Sequence, residues 1–177
     1  MPRKRKMVTS KMPLVLKLRL KGMHPPVWRD VAIAGDATLA DLHFCIQEAF
    51  DWDGYHLHNF TIGRGRDVEF LPKAALQNSW GVAYDEAEYS AYEVLQQTAK
   101  LLYTYDFGDD WKVEVVPKGF HKGDFMPPFQ VLKVKGKENP PEDCGGIPGF
   151  SELLYYWNHP EECDDEMKEQ LEFYFGE

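Results

Sequence analysis

Cysteine is scarce in this chain of 177 residues: Cys45, Cys144 and Cys163 are the only three, and they lie far apart. No Cys-x-x-Cys pair occurs, which excludes a zinc knuckle and a disulfide framework and leads to the expectation of a reduced, cytoplasmic protein. Long apolar runs are missing too. None approaches the ~20 residues of a bilayer-spanning helix, so no membrane partner is expected. The opening string Met1-Pro2-Arg3-Lys4-Arg5-Lys6-Met7 is basic and lacks the apolar stretch and cleavage site of a secretory leader. Acidic residues are absent from positions 1–29, which hold nine of the 20 lysines and arginines. Positions 30–177 carry the other 11 basic groups against all 29 acidic ones, a net of −18. A body this acidic repels a phosphate backbone at long range. Nucleic acid is therefore expected to meet only the basic arm over 1–12, which reads as flexible. A protein or a small ligand is the expected partner of the rest.

What is present suffices for one core. Hydrophobic residues make up 44 % of the chain and aromatics 14 %, and positions 13–177 read as a single domain. Leu14 to Leu20 alternates, with leucines on one face and Val15, Lys17 and Arg19 on the other. Val27 to Ile33 alternates again after a turn containing Gly22, Pro25 and Pro26, which predicts a hairpin. Thr38 with Asp41 forms a capping-box pair ahead of a helix whose core face is Leu39, Leu42, Ile46, Ala49 and Phe50. Tyr55–Ile62 and Val68–Leu71 read as strands joined by a turn at Gly63-Arg64-Gly65-Arg66-Asp67. Residues 72–89 read as irregular, and Ser90 with Glu93 opens a short helix. Leu101–Tyr105 and Trp111–Val116 form a second hairpin around Asp106-Phe107-Gly108-Asp109-Asp110. Residues 117–150 hold six prolines and six glycines and read as loop, with one strand over Phe129–Val134. Ser151 is expected to cap a helix toward Trp157, and Pro160 to start a last helix. The fold class is α+β, an antiparallel-rich sheet with helices packed against it.

Four polar clusters carry chemistry. His56 and His58, at i and i+2 on one strand face, are spaced to present two ligands to a metal, and His43 on the preceding helix offers a third. Phe60 and Ile62 continue that face, so the simpler reading puts both rings at the core edge, each nitrogen meeting a carbonyl or a carboxylate such as Asp106. No metal and no cofactor is assigned. Asp106, Asp109 and Asp110 suit a hard cation or acid–base chemistry. The competing reading is a turn with Gly108 at positive φ and aspartates bonding to turn amides. Asp-Phe-Gly here lacks the glycine-rich loop, lysine strand and His-Arg-Asp string of a kinase. Cys144, in Pro140-Pro141-Glu142-Asp143-Cys144-Gly145-Gly146, is a nucleophile only if a base lies beside it; a rigid loop with Cys144 turned inward is the alternative. Arg64 and Arg66 suit phosphate, or a solvated hairpin tip.

The ordered set of strings resembles the plasmid pRiA4b ORF-3-like family. The matching residues are Val27-Trp28-Arg29 after Pro25-Pro26, the helix through His43, Ile46 and Phe50 to Trp52, Tyr55-His56-Leu57-His58-Asn59-Phe60, the Tyr105 to Trp111 string, and Pro140 to Gly146. They span about residues 14–157. Family members often carry cysteine just before Pro-Pro-Glu-Asp; Asn139 stands there in this chain, so no role built on a cysteine pair carries over. The resemblance implies a compact α+β domain and a setting on plasmids or transposable elements, with no activity attached. The expectation is a non-catalytic binding or accessory protein. Its candidate surface comprises Trp28, Arg29, His43, Trp52, His56, His58, Asp106, Asp109, Asp110, Trp111, Glu142 and Asp143, with a groove lined by Trp28, Trp52 or Trp111. The alternative is a metal-dependent hydrolase or nuclease in which His56, His58, Asp106, Asp109 and Asp110 converge on one cleft.

Overall fold

The computed structural model describes residues 3–63 and 67–176. β1 (Leu14–Leu20) and β2 (Val27–Ile33) pair antiparallel, with Leu14 opposite Ile33 and Leu20 opposite Val27. Alternation does what it predicts: Leu14, Leu16, Leu18 and Leu20 are all buried. α1 (Leu39–Phe50) follows. Thr38 accepts from the Asp41 amide while the Asp41 carboxylate accepts from the Thr38 amide, closing the capping box. Its face of Leu39, Leu42, Cys45, Ile46 and Phe50 is buried in the core. α2 (Ala91–Leu95) starts in the same way, from Ser90 and Glu93. The two caps meet in a short bridge between Thr38 and Ser90, which locks the helix starts together.

β3 (His58–Ile62) begins later than the aromatic run suggests, because Tyr55, His56 and Leu57 lie in a loop ahead of it. β4 (Val68–Leu71) returns antiparallel to β3. The turn between them, with Arg64 and Arg66, lies outside the described residues apart from Gly63 and Asp67. The stretch 72–89 is more ordered than expected. A 3-10 turn over Lys73–Asn78 leads to β5 (Val82–Asp85), which runs parallel to β4. Four residues at a sheet edge give too short an alternation to read from sequence.

β6 (Leu101–Tyr105), β7 (Trp111–Phe120) and β8 (Phe129–Lys135) complete one open sheet in the order β5-β4-β3-β6-β7-β1-β2-β8. Every pairing except β4–β5 is antiparallel. β7 runs on to Phe120 because β1 supplies partners as far as Leu14. α3 (Gly146–Asn158) starts at Gly146, not at Ser151 as expected. Gly145 and Gly146 take left-handed backbone, and a Cβ on Gly146 would fall 2.2 Å from the Asp109 carbonyl oxygen. Here glycine signals a close approach at a helix start, not a loop. α4 (Asp165–Phe175) is capped by Asp164; Pro160 instead opens a 3-10 turn over Pro160–Glu162.

The fold is thus one α+β domain with an open, mostly antiparallel sheet. Its core lies between one sheet face and α1, with Phe150 of α3 sealing the end beside Trp111. No helix among the described residues is long and apolar enough to cross a membrane. Within the segment read as an arm, Arg5 binds both Glu93 carboxylate oxygens at 2.9 and 2.7 Å and lies over the Tyr89 ring. The Val8 amide donates to the same carboxylate.

Candidate functional site

Three segments far apart in sequence meet at one end of β6, and backbone physics explains how each is placed. The first follows α1. Asp51 takes φ +58 at the helix C-cap, and the Trp52 amide donates back to Gln47. That turn buries Trp52, whose indole N–H donates to the Pro140 carbonyl at 2.9 Å. The next amide, of Asp53, donates to Glu142 at 3.2 Å. The second segment is the end of β6. The Tyr105 hydroxyl donates to the other Glu142 oxygen, and the Asp106 amide donates to the Leu57 carbonyl at 2.9 Å. Burial and the bond to Glu142 both push the Tyr105 hydroxyl above its usual pKa, so it stays a donor. The third segment is the loop 140–145. The Gly145 amide donates to Asp109, and the Tyr174 hydroxyl of α4 donates to the Asp143 carbonyl.

This scaffold brings His56, Asp106 and Asp143 together. His56 Nε2 lies 2.9 Å from Asp143 Oδ1 and 3.6 Å from Asp106 Oδ2. One ligand-type atom from each residue falls within 4.8 Å of the other two. Asp106 is buried, whereas the Asp143 side chain is 72 % exposed, so the cluster opens to solvent on one side. Asp106 and Asp110 hold the positive φ angles of the turn, at +57° and +59°; Gly108, expected there, does not. Its amide instead donates to Asp106 Oδ1 at 3.0 Å, the aspartate-to-turn bond expected of this string. Beside the cluster, Tyr55, Leu57 and Phe107 expose apolar surface, and His56, Leu57 and Phe107 edge a cleft of about 200 Å³.

The other candidates part from this site. His58 turns inward with β3, stacks on His43 at 3.6 Å between ring centres, and meets Glu86 at 2.8 Å. His43 Nδ1 lies 2.8 Å from the Tyr103 hydroxyl, which also accepts from Gln47 at 2.9 Å. Burial, reinforced by the nearby charge of His58, pushes His43 down to about 3, so its imidazole is neutral. His43 and His56 therefore do not share a metal with His58. Asp110 pairs with Lys112. The five-residue convergence required of a hydrolase reduces to His56 and Asp106. Trp52 and Trp111 do not line a groove: their rings are buried in the core, 5.7 Å apart. Trp28 lies outside the core, under the Lys17 ammonium at 3.2 Å. Arg29 is buried rather than surface-exposed. Its guanidinium donates to the carbonyls of Trp28, Ala49, Lys135 and Gly136 and to the Asn139 side chain, and burial lowers its pKa. Burial, and next the charge of Asp109, push the Cys144 thiol up to about 12, the opposite of activation.

Sequence reasoning missed Glu86, Tyr103 and Gln47. Glu86 lies in the stretch read as irregular, and no local pattern marks a buried acid. Gln47 is visible as a polar residue one turn after His43, a spacing that places both on one helix side.

The comparisons agree with this architecture. The chain is 34 % identical over 143 residues, 78 % of its length, to the uncharacterized protein y4hQ of Sinorhizobium fredii (strain NBRC 101917 / NGR234), of which it covers 69 %. It is also similar to the crystal structure of a protein of unknown function, MM3350 from Methanosarcina mazei Go1. There the TM-score is 0.77 and the identity 28 %, over 96 % of this chain and 91 % of that one. Residues 13–176 match the plasmid pRiA4b ORF-3-like proteins, and this chain belongs to that family.

Proposed function

We propose that the chain is a non-catalytic binding protein, an accessory of plasmid-borne or other mobile DNA, and that its binding face is the open end of the sheet around His56, Asp106 and Asp143. One observation carries the reading: three loops converge on a rigid scaffold and leave two unlike surfaces side by side, a charged cluster and the exposed Tyr55, Leu57 and Phe107. Rigid display of apolar and charged groups is what specific docking needs. Catalysis by the residues singled out from the sequence is disfavoured, because His58, Asp109 and Asp110 are engaged elsewhere. The net charge of −18 over positions 30–177 selects a cationic partner with apolar side chains over duplex nucleic acid. The family name supplies the plasmid setting. Cys45, Cys144 and Cys163 are free thiols, which suits the cytoplasm.

The test is fluorescence anisotropy of the full chain with two labelled probes, a short peptide of Lys, Arg and Leu and a DNA duplex. The peptide is expected to bind at low salt and to lose affinity at least about tenfold with Leu57→Ser plus Phe107→Ser, about 1.4 kcal/mol. Tighter binding of the duplex overturns the reading. So does turnover of a phosphodiester substrate that Asp106→Asn abolishes, which would favour the hydrolase.

A further inference from the structure

We infer that His56, Asp106 and Asp143 form a binding site for one zinc-like divalent cation, with open coordination positions facing the partner. The inference rests on the binding face described above and deepens it. Metal binding was set aside in the sequence because Phe60 and Ile62 continue the face of His56 and His58, which placed both rings at the core edge. The structure separates that pair and supplies a different set, one imidazole and two carboxylates from three chain segments.

Two independent observations support the site. The first is spacing. Ligands about 2.05 Å from a tetrahedral zinc lie about 3.3 Å from one another. The contacts of His56 Nε2, 2.9 Å to Asp143 and 3.6 Å to Asp106, bracket that value. The second is a carboxylate oxygen with no protein donor. The Asp106 side chain is only 10 % exposed, and its Oδ1 is satisfied by the Gly108 amide. Its Oδ2 accepts no hydrogen bond from any described residue and faces His56 Nε2 at 3.6 Å. The free oxygen of this mostly buried carboxylate faces the imidazole with no donor between them, an arrangement in which a cation bridges the two.

The neighbours sort into ligands and supports. Glu142 is not a ligand: the Tyr105 hydroxyl and the Asp53 amide occupy its two oxygens. It positions the loop that carries Asp143. Asp109 is held by the Gly145 amide. Three protein ligands leave a tetrahedral zinc one position short, and the exposed side of Asp143 is where it opens. An oxygen or nitrogen donor from the partner completes the sphere there, next to Leu57 and Phe107. The imidazole selects against magnesium and calcium, which take oxygen donors.

The experiment uses the full chain, treated with chelator, dialysed, and loaded with zinc chloride. Elemental analysis is expected to give one zinc per chain, and zinc to raise the melting temperature by about 3–6 °C. His56→Gln and Asp106→Asn should each lose both effects, while Asp110→Asn, whose carboxylate pairs with Lys112 outside the cluster, keeps them. Should Asp106→Asn fail to fold, His56→Gln, at a partly exposed loop position, still decides the matter. Absence of stoichiometric zinc, zinc retained by His56→Gln, or an equal response to magnesium overturns the site. Peptide binding measured in the same samples separates the two ideas. A zinc-loaded chain that ignores the peptide sinks the binding face but not the metal; a chain that binds the peptide but no zinc sinks the metal alone.

Discussion

His58 and His56 are separated by one residue, yet they occupy opposite surroundings. His58 sits in a buried network with His43, Glu86, Tyr103 and Gln47, held by bonds between different elements. His56 lies in a loop, half-exposed, among carboxylates from two other segments. The strand starts at His58, so the rule that places i and i+2 on one face stops applying two residues too early to govern His56. A buried network specifies the fold; an open one is free to meet something else. Mutations should therefore separate the two by stability.

The largest effect is expected from Glu86→Ala, which strands His58 in the core. It should lower unfolding free energy by about 3–5 kcal/mol, read by urea denaturation. A loss under about 1 kcal/mol would mean that the buried pair is not intact in solution. Tyr103→Phe comes next. It removes the hydroxyl that joins His43 to Gln47 and should cost about 1–3 kcal/mol. The third comparison is against pH. His43 is held at about 3, against 6.5 in an ordinary histidine. The unfolded chain then takes up a proton before the folded one does. The stability that His43 contributes is full above about 6.5 and drains away as the pH falls toward 3, by up to about 1.4 kcal/mol per unit. Stability measured from pH 7 to 4 should fall less steeply in His43→Gln; an identical slope would show that His43 does not stay neutral. The smallest effect is expected from Asp143→Asn in the open cluster, within about 0.5 kcal/mol of wild type by the same assay. A loss as large as that of Glu86→Ala would erase the distinction between the two regions.

Where one physical rule governs a segment alone, the sequence is readable. The leucines of β1 and the capping boxes at Thr38 and Ser90 are local patterns, and each is realised. β5 and the start of α3 are not local. β5 exists because β4 offers an edge, and α3 opens on Gly146 because Asp109 leaves room there for nothing larger than glycine. The candidate site divides in the same way. His56, Asp106 and Asp143 could each be named from composition and turn chemistry. Their convergence depends on Trp52 and Tyr105 reaching across to Pro140 and Glu142, long-range bonds with no local signature. Arg29 shows the reverse error: a charge within an alternating strand looks like a surface residue until β8 and the end of α1 close over it.

Arg29 has a further consequence. Among the described residues no carboxylate faces it; its charge is dispersed over carbonyl dipoles, one of them at the C-terminal end of α1, where the helix carries partial negative charge. Carbonyls do not titrate. An anchor made of a guanidinium and peptide oxygens therefore holds in acid, where carboxylate pairs such as Arg5 with Glu93 let go. Because Arg29 grips Gly136 and Asn139, the approach to the 140–145 loop is secured by a fastening indifferent to proton concentration.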